Sequence, residues 1–302
     1  MIYSDAHKRF LTYIKAVGTG PKGNRELSEE EMFDCFSLIL NRQIPDTLIS
    51  AFLLGWRVQG ETVAELSGVI QAIKATQKDY HDTNNSIEIG YPLDGKQKLP
   101  PLMMEASKLL NDIKIHVTGD NPQSPKFAYN PKAFTKKLTY NDNLVYHDRS
   151  DFNPLYSALT PLRNDLGIRS AINTIEKLNF LAPNALIGMH HMPYFELYQN
   201  LYAPHYKRLL IVQGHEGTPE VVKKAKMKLI GNGVVEDIVC DPKEFGIEPL
   251  IQKENLSLEQ LSAMVEHPTE QLTSLIKLNA AVLLFAGGYH DSIEEAYKTV
   301  NK

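Results

Sequence analysis

The chain has 302 residues, 43% hydrophobic and 23% charged, with a net charge of -4 at neutral pH. That composition belongs to an ordinary soluble globular protein with one large domain or two, and no apolar run approaches the ~18 residues of a membrane span. The first residues lack the apolar core of a signal peptide, and Cys35 and Cys240 lie too far apart for a disulfide framework or zinc spacing, so a cytoplasmic setting is expected. Mild acidity argues against a dedicated nucleic-acid binder but leaves room for a local basic surface.

Residues 1–82 read as helices only. The stretch 7–17 has one apolar face and is broken by Gly18-Thr19-Gly20-Pro21. Ser28 with Glu31 three residues later forms a capping-box signature for the next helix, whose buried stripe is Met32, Phe33, Phe36, Leu38, Ile39 and Leu40. Residues 50–58 are apolar almost all round, which suits a core or a subunit partner. Gly60-Glu61-Thr62 opens a fourth helix running to Ile73.

From residue 83 onward strands alternate with helices. Strands are expected at 87–89, 113–117, 144–146, 185–189, 209–212 and 234–239. Helices are expected near 99–110, 154–166, 194–202, 219–226, 258–265 and 271–285. This alternation predicts a mainly parallel sheet covered by helices. The segment 118–137 contains three prolines and no clear period, and reads as a long functional loop.

Ser86-Ile87-Glu88-Ile89-Gly90-Tyr91-Pro92-Leu93-Asp94-Gly95-Lys96 is the stretch around which the α/β part is organised. A strand enters a glycine-containing turn, and a helix and second strand follow, making one βαβ unit whose first loop is where such units hold ligands. The spacing is neither a P-loop nor G-x-G-x-x-G, and Pro92 removes one main-chain donor.

Several segments carry a resemblance. Residues 48–62, the run Pro161-Leu162-Arg163-Asn164-Asp165-Leu166-Gly167, the run Val212-Gln213-Gly214-His215-Glu216-Gly217, and Leu278-Asn279-Ala280-Ala281 together resemble anthranilate phosphoribosyltransferase and the related pyrimidine nucleoside phosphorylases. The resemblance implies an α/β fold: a small N-terminal α-helical domain (1–82) for dimerisation and a larger α/β domain (83–302) with a mainly parallel central sheet and an ancestral phosphoribosyl-binding cleft. In the catalytic family a Gly-Thr-Gly-Gly-Asp loop cradles a pyrophosphate; here the same place reads Gly90-Tyr91-Pro92-Leu93-Asp94, with side chains where close main-chain approach needs glycine. The family's Lys-His-Gly-Asn is Val117-Thr118-Gly119-Asp120, its Gly-Pro-Leu-Thr-Asn-Pro element falls on residues 176–181 and is lost, and its magnesium-holding Asp-Glu pair is Pro219-Glu220. Arg163 matches the arginine that faces the acceptor acid. The pattern resembles the family's non-catalytic branch, homodimers that bind nucleic acid without sequence preference.

Between residues 96 and 137 eight lysines stand against three acidic residues, and phosphate-backbone binding needs such clustering. Phe127, Tyr129, Phe134 and Tyr140 are interleaved as possible stacking surfaces. A second run, Lys223-Lys224-Ala225-Lys226-Met227-Lys228, is expected on a helix. His190-His191 and His215-Glu216 read as structural, because adjacent strand residues point to opposite faces and do not readily chelate one ion.

The expected function is therefore sequence-independent binding of single-stranded nucleic acid by a homodimer joined through its N-terminal helices. Gly90, Gly95, Lys96, Lys98, Lys126, Lys136, Lys137, Arg163 and Arg169 are the expected phosphate-binding residues, with neither metal nor cofactor. The alternative is magnesium-dependent phosphoribosyl transfer to an aromatic or nitrogenous acceptor, with Asp94, Arg163 and Glu220 surviving from the ancestral site. A small-anion or metabolite sensor with neither activity is a third reading.

Overall fold

The computed structural model describes residues 4–302. Four helices come first: α1 (Asp5–Gly18), α2 (Glu29–Leu40), α3 (Asp46–Gln59) and α4 (Val63–Thr76). The expected Ser28/Glu31 capping box is formed, and a second one, Thr62 with Glu65, starts α4. Then follow β1 (Ile87–Gly90), α5 (Leu102–Ser107), β2 (Ile115–Gly119), α6 (Pro131–Lys137) and β3 (Leu144–Asp148). Four short helices come next, α7 (Arg149–Phe152), α8 (Pro154–Ser157), α9 (Thr160–Leu166) and α10 (Ile172–Ile175). The remainder is β4 (Asn184–Met189), α11 (Tyr194–Tyr202), β5 (Arg208–Gln213), β6 (Ala225–Gly231), β7 (Val234–Cys240), α12 (Leu258–Glu266), α13 (Glu270–Ala286) and α14 (Ile293–Val300).

Two compact units result. The first gathers the segment ending at Asp79 with residues 123–126 and 149–176. Its core is an aromatic cluster in which Phe52 stacks on Trp56 at 6.0 Å and Phe36 meets Trp56 edge-on at 5.9 Å. The buried Glu65 ties this core together, accepting from Trp56 Nε1 at 3.0 Å and from the Leu27 amide at 2.9 Å, since a buried carboxylate must be hydrogen-bonded.

The second unit holds a seven-stranded sheet in the order β3-β2-β1-β4-β5-β6-β7. The first five strands are parallel, and β6 and β7 add antiparallel. β1 therefore sits inside the sheet, buried along its whole length, while β7 forms an edge. Helix α13, apolar on nearly every side, packs in the main core together with residues of β1, β2 and β5.

Four expectations need correction. The helix expected at 219–226 is absent, and the lysine run enters strand β6. Its true period is two: Lys224 and Lys226 are exposed while Ala225, Met227 and Leu229 are buried. Asn232 and Gly233, both at positive φ (52° and 75°), close a two-residue turn into β7, the geometry that Asn-Gly favours. The loop expected at 118–137 ends in helix α6, where Asn130 caps the Lys132 amide at 3.0 Å and Pro131 occupies the first helical position, a place that suits proline. Pro100 and Pro101 delay the helix expected at 99–110 to Leu102, and the helix expected at 154–166 is two short ones. No helix among the described residues is long and apolar enough to cross a membrane.

Candidate functional site

The loop leaving β1 is closed by its own side chains. Tyr91 and Leu93 are buried, 3% and 1% exposed. At Gly95 φ is +90°, and a β-carbon there would overlap the Ala128 main chain, so only glycine fits. Residues 94–96 zip against 128–129: the Ala128 amide donates to Asp94 O at 3.1 Å, and Lys96 and Tyr129 exchange main-chain bonds at 2.9 and 3.2 Å. The space under the loop, lined by Tyr91, Pro92, Lys96, Met104 and Tyr129, leaves no room for a water molecule.

Two carboxylates answer the loop's remaining donors. Glu220, fully buried, accepts from Tyr91 Oη at 2.8 Å and from Lys96 Nζ, and Thr218 Oγ1 lies 3.1 Å away. Lys96 Nζ also donates to Pro100 O at 2.8 Å. Glu216 takes the two successive amides of Gln97 and Lys98, each at 3.1 Å; paired amides of this kind are where a phosphate would otherwise sit. Burial, and then Glu220, push the Tyr91 phenol well above its ordinary range. Burial also drives the neighbouring His215 down to about 4, opposed by Glu216 and reinforced by Lys96 and Lys98.

The same theme recurs in the first unit. Glu176 is buried between Arg163, at 2.7 Å, and Arg149, at 3.3 Å, and takes the Asn173 side-chain amide at 3.1 Å. Burial alone would raise the Glu176 carboxyl, but the two guanidiniums outweigh it and hold the group below the usual carboxylate range. Arg163, expected to face a ligand acid, thus already has a carboxylate from its own chain.

The expected phosphate contacts separate accordingly. Lys96 is 2% exposed and paired with Glu220, and Arg163 is buried with Glu176; neither presents a charge to solvent, because an unpaired buried cation is too costly to keep. Gly90 and Asp94 are buried, Lys98 is half-buried, and Lys136 and Lys137 are exposed at the end of α6. Lys126 and Arg169 are exposed and belong to the first unit. Other lysines of the basic segment have carboxylate partners: Lys108 with Glu105 at 2.7 Å, Lys132 with Asp148 at 2.8 Å and Lys114 with Asp82 at 3.9 Å. Of the interleaved aromatics, Phe127 is 51% exposed, Phe134 is core, and Tyr140 donates to Glu105.

His190 and His191 lie beyond the end of β4, and their rings meet edge to face, 4.7 Å apart, instead of pointing to opposite faces. Sequence reasoning missed the ties made by Glu176 and Tyr91, while Glu216, read there as structural beside His215, holds the Gln97 and Lys98 amides. The available signal was chemical: a carboxylate at 176 where the resembled family has glycine, and Tyr91 where it has threonine. Magnesium, implied by the transferase alternative, does not fit Glu220, whose oxygens are taken by Lys96 and Tyr91 and whose neighbour is Pro219. Among the described residues no group of three or more His, Cys, Asp or Glu side chains is placed to hold a metal ion.

Comparison with known proteins follows the fold. Residues 11–76 match the helical bundle domain of the glycosyl transferase family. An uncharacterised protein of Aquifex aeolicus is 31% identical over 301 residues, covering 92% of this chain and 93% of that protein. An anthranilate phosphoribosyltransferase of Saccharolobus islandicus is 25% identical over 302 residues, covering 92% and 86%. Among solved structures, anthranilate phosphoribosyltransferase from Saccharomyces cerevisiae superposes with a TM-score of 0.76 at 18% identity over 99% of this chain and 94% of that one. The Thermus thermophilus enzyme gives 0.74 at 16% identity over 98% and 93%. These last two likenesses concern the fold.

Proposed function

This chain belongs to the glycosyl transferase family that includes the anthranilate phosphoribosyltransferases, and from that premise we propose that it uses the phosphoribosyltransferase scaffold to bind polyanions, nucleic acid above all, without transferring a phosphoribosyl group. One observation carries the absence of transfer: the loop after β1 has Lys96 and its paired amides answered by Glu220 and Glu216. Displacing pyrophosphate requires positioned positive charge and metal at the developing negative charge. Here a diphosphate would meet two carboxylates and the buried Leu93.

The nucleic-acid half is supported by Lys136 and Lys137 at the tip of α6, by the half-buried Lys98, and by Lys126 and Arg169 in the first unit. Lys96 and Arg163 are no longer among the contacts. A homodimer through the helical unit is supported by its exposed apolar side chains, Val58 at 79%, Leu54 at 48% and Phe33 at 38%; sedimentation at micromolar concentration giving a single-chain mass would remove it.

Anisotropy of a labelled single-stranded oligonucleotide tests the binding. Affinity should fall as salt rises, and Lys136→Glu with Lys137→Glu should abolish it; no binding at low salt discards the reading. The second reading, magnesium-dependent phosphoribosyl transfer, is favoured by the 25% identity with the Saccharolobus enzyme over 92% of the chain. Calorimetry with phosphoribosyl pyrophosphate and magnesium separates the two: silence is expected, and a saturable heat restores the enzyme.

A further inference from the structure

Strand β7 is the outer edge of the sheet and is exposed along most of its seven residues. Val234, Val235 and Val239 are 61%, 48% and 50% exposed. The hairpin register, with Gly231 opposite Val234 and Lys228 opposite Asp237, decides which way its main chain points. In a two-residue hairpin the closing pair is hydrogen-bonded, and the pattern then alternates. The main-chain groups of Val234, Glu236 and Ile238 therefore turn toward β6, and those of Val235, Asp237 and Val239 turn outward. No hydrogen bond from another described segment covers that row.

The side chains of the same three residues share one face with Ile230, Lys228 and Lys226, their partners across the hairpin. On that face α11 leaves an open groove of about 780 Å³, lined by Phe195, Gln199, Lys226, Lys228, Asp237 and Val239 among others. An uncovered main-chain edge and an adjoining half-apolar groove are the two components of recognition by strand addition. Charge selects the occupant. Glu236 and Asp237 lie at the middle of β7, so two copies paired antiparallel about Asp237 would set Asp237 against Asp237 on one face and bring the two Glu236 diagonally close on the other, which disfavours self-pairing. On the groove face Asp237 is already met by Lys228 at 3.1 Å, and Val239 and Phe195 supply apolar lining beside Lys226 and Glu196. On the opposite face Glu236 has no ion-pair partner among the described residues.

We propose that β7 accepts an extended peptide of another protein as an antiparallel eighth strand, with apolar side chains in the groove beside α11 and a lysine or arginine over Glu236.

The probe is a fluorescein-labelled peptide of alternating valine and lysine, Gly-Val-Lys-Val-Lys-Val-Gly, added to the full chain and read by anisotropy. Saturable binding is expected. It should weaken by at least about tenfold, the worth of one hydrogen bond or close charge pair, in Val239→Pro, which removes an outward amide that an edge strand tolerates losing. A comparable loss is expected in Glu236→Lys, a surface change that leaves the fold alone. The same peptide N-methylated at its valines, or carrying glutamate in place of lysine, should fail to bind. No saturation by about 1 mM, equal binding of the methylated or glutamate peptide, or insensitivity to both variants overturns the proposal. So does a peptide-free dimer that Val239→Pro dissociates, which would assign the edge to a second copy.

Discussion

The loop after β1 and the edge strand β7 belong to the same sheet and have opposite fates. In the first, Glu220 takes Tyr91 Oη and Lys96 Nζ, Glu216 takes the Gln97 and Lys98 amides, and the buried Leu93 and Tyr91 fill the remaining space. In the second, a row of main-chain groups and three valines face solvent. Where the resemblance implies a phosphoribosyl-binding cleft, this chain buries the loop as part of its core. The exposed main-chain row and the exposed lysines lie elsewhere, at the sheet edge and at the tip of α6.

The sharpest way to break this comparison is Glu220→Ala. If the loop is sealed as core, the variant strands Lys96 in a buried position and should lose about 3–5 kcal/mol of stability, read from urea unfolding. A loss below about 1 kcal/mol, the range of an exposed pair, would mean that the region is open to water. Next in size, Leu93→Ala should cost about 2–5 kcal/mol, as for any fully buried leucine, and should not create binding of phosphoribosyl pyrophosphate, because Glu216 and Glu220 remain. Calorimetry of that variant checks the second clause.

A pH series sharpens the same contrast. His215, beside the sealed loop, titrates near 4 in the folded chain against an ordinary value near 6.5. Its unfolded form binds the proton first, so this contribution to stability is complete above about 6.5 and is lost as pH falls toward about 4. His147 is also lowered to about 4, by burial and then by His116, so His215→Gln should reduce the slope of stability against pH across that window without flattening it. The smallest effect belongs to the edge. Val235→Thr on β7 should change stability by less than about 0.5 kcal/mol, as an exposed substitution does; a loss of several times that would show that β7 is covered in the free chain.

Much of the fold was legible in one dimension. The Ser28/Glu31 capping box, the β-rich runs of β1, β3, β4 and β5, and the long apolar α13 are local signals, and local signals survive in a linear reading. Strand β6 was equally legible, through Lys224-Ala225-Lys226-Met227-Lys228-Leu229 alternating ahead of Asn232-Gly233. Lysine content masked the period-two signal and suggested a helical face instead. The joining of 149–176 to the helical unit had no such signal, because it depends on contacts such as Arg149 and Arg163 with Glu176, and Asn153 with Ile73 O at 2.9 Å, that compact folding creates.

The amino-acid order by itself determined the architecture, the loss of the glycines at 92 and 93, and the concentration of lysine between 96 and 137, because each is a matter of residue type and spacing. Only the tertiary structure decided which of those charges reach solvent. Lys96 meets Glu220 at a separation of 124 positions along the chain, and Gln97 meets Glu216 at 119. A charge's partner is set by where the folded backbone brings it, and a buried cation persists only where such a partner waits.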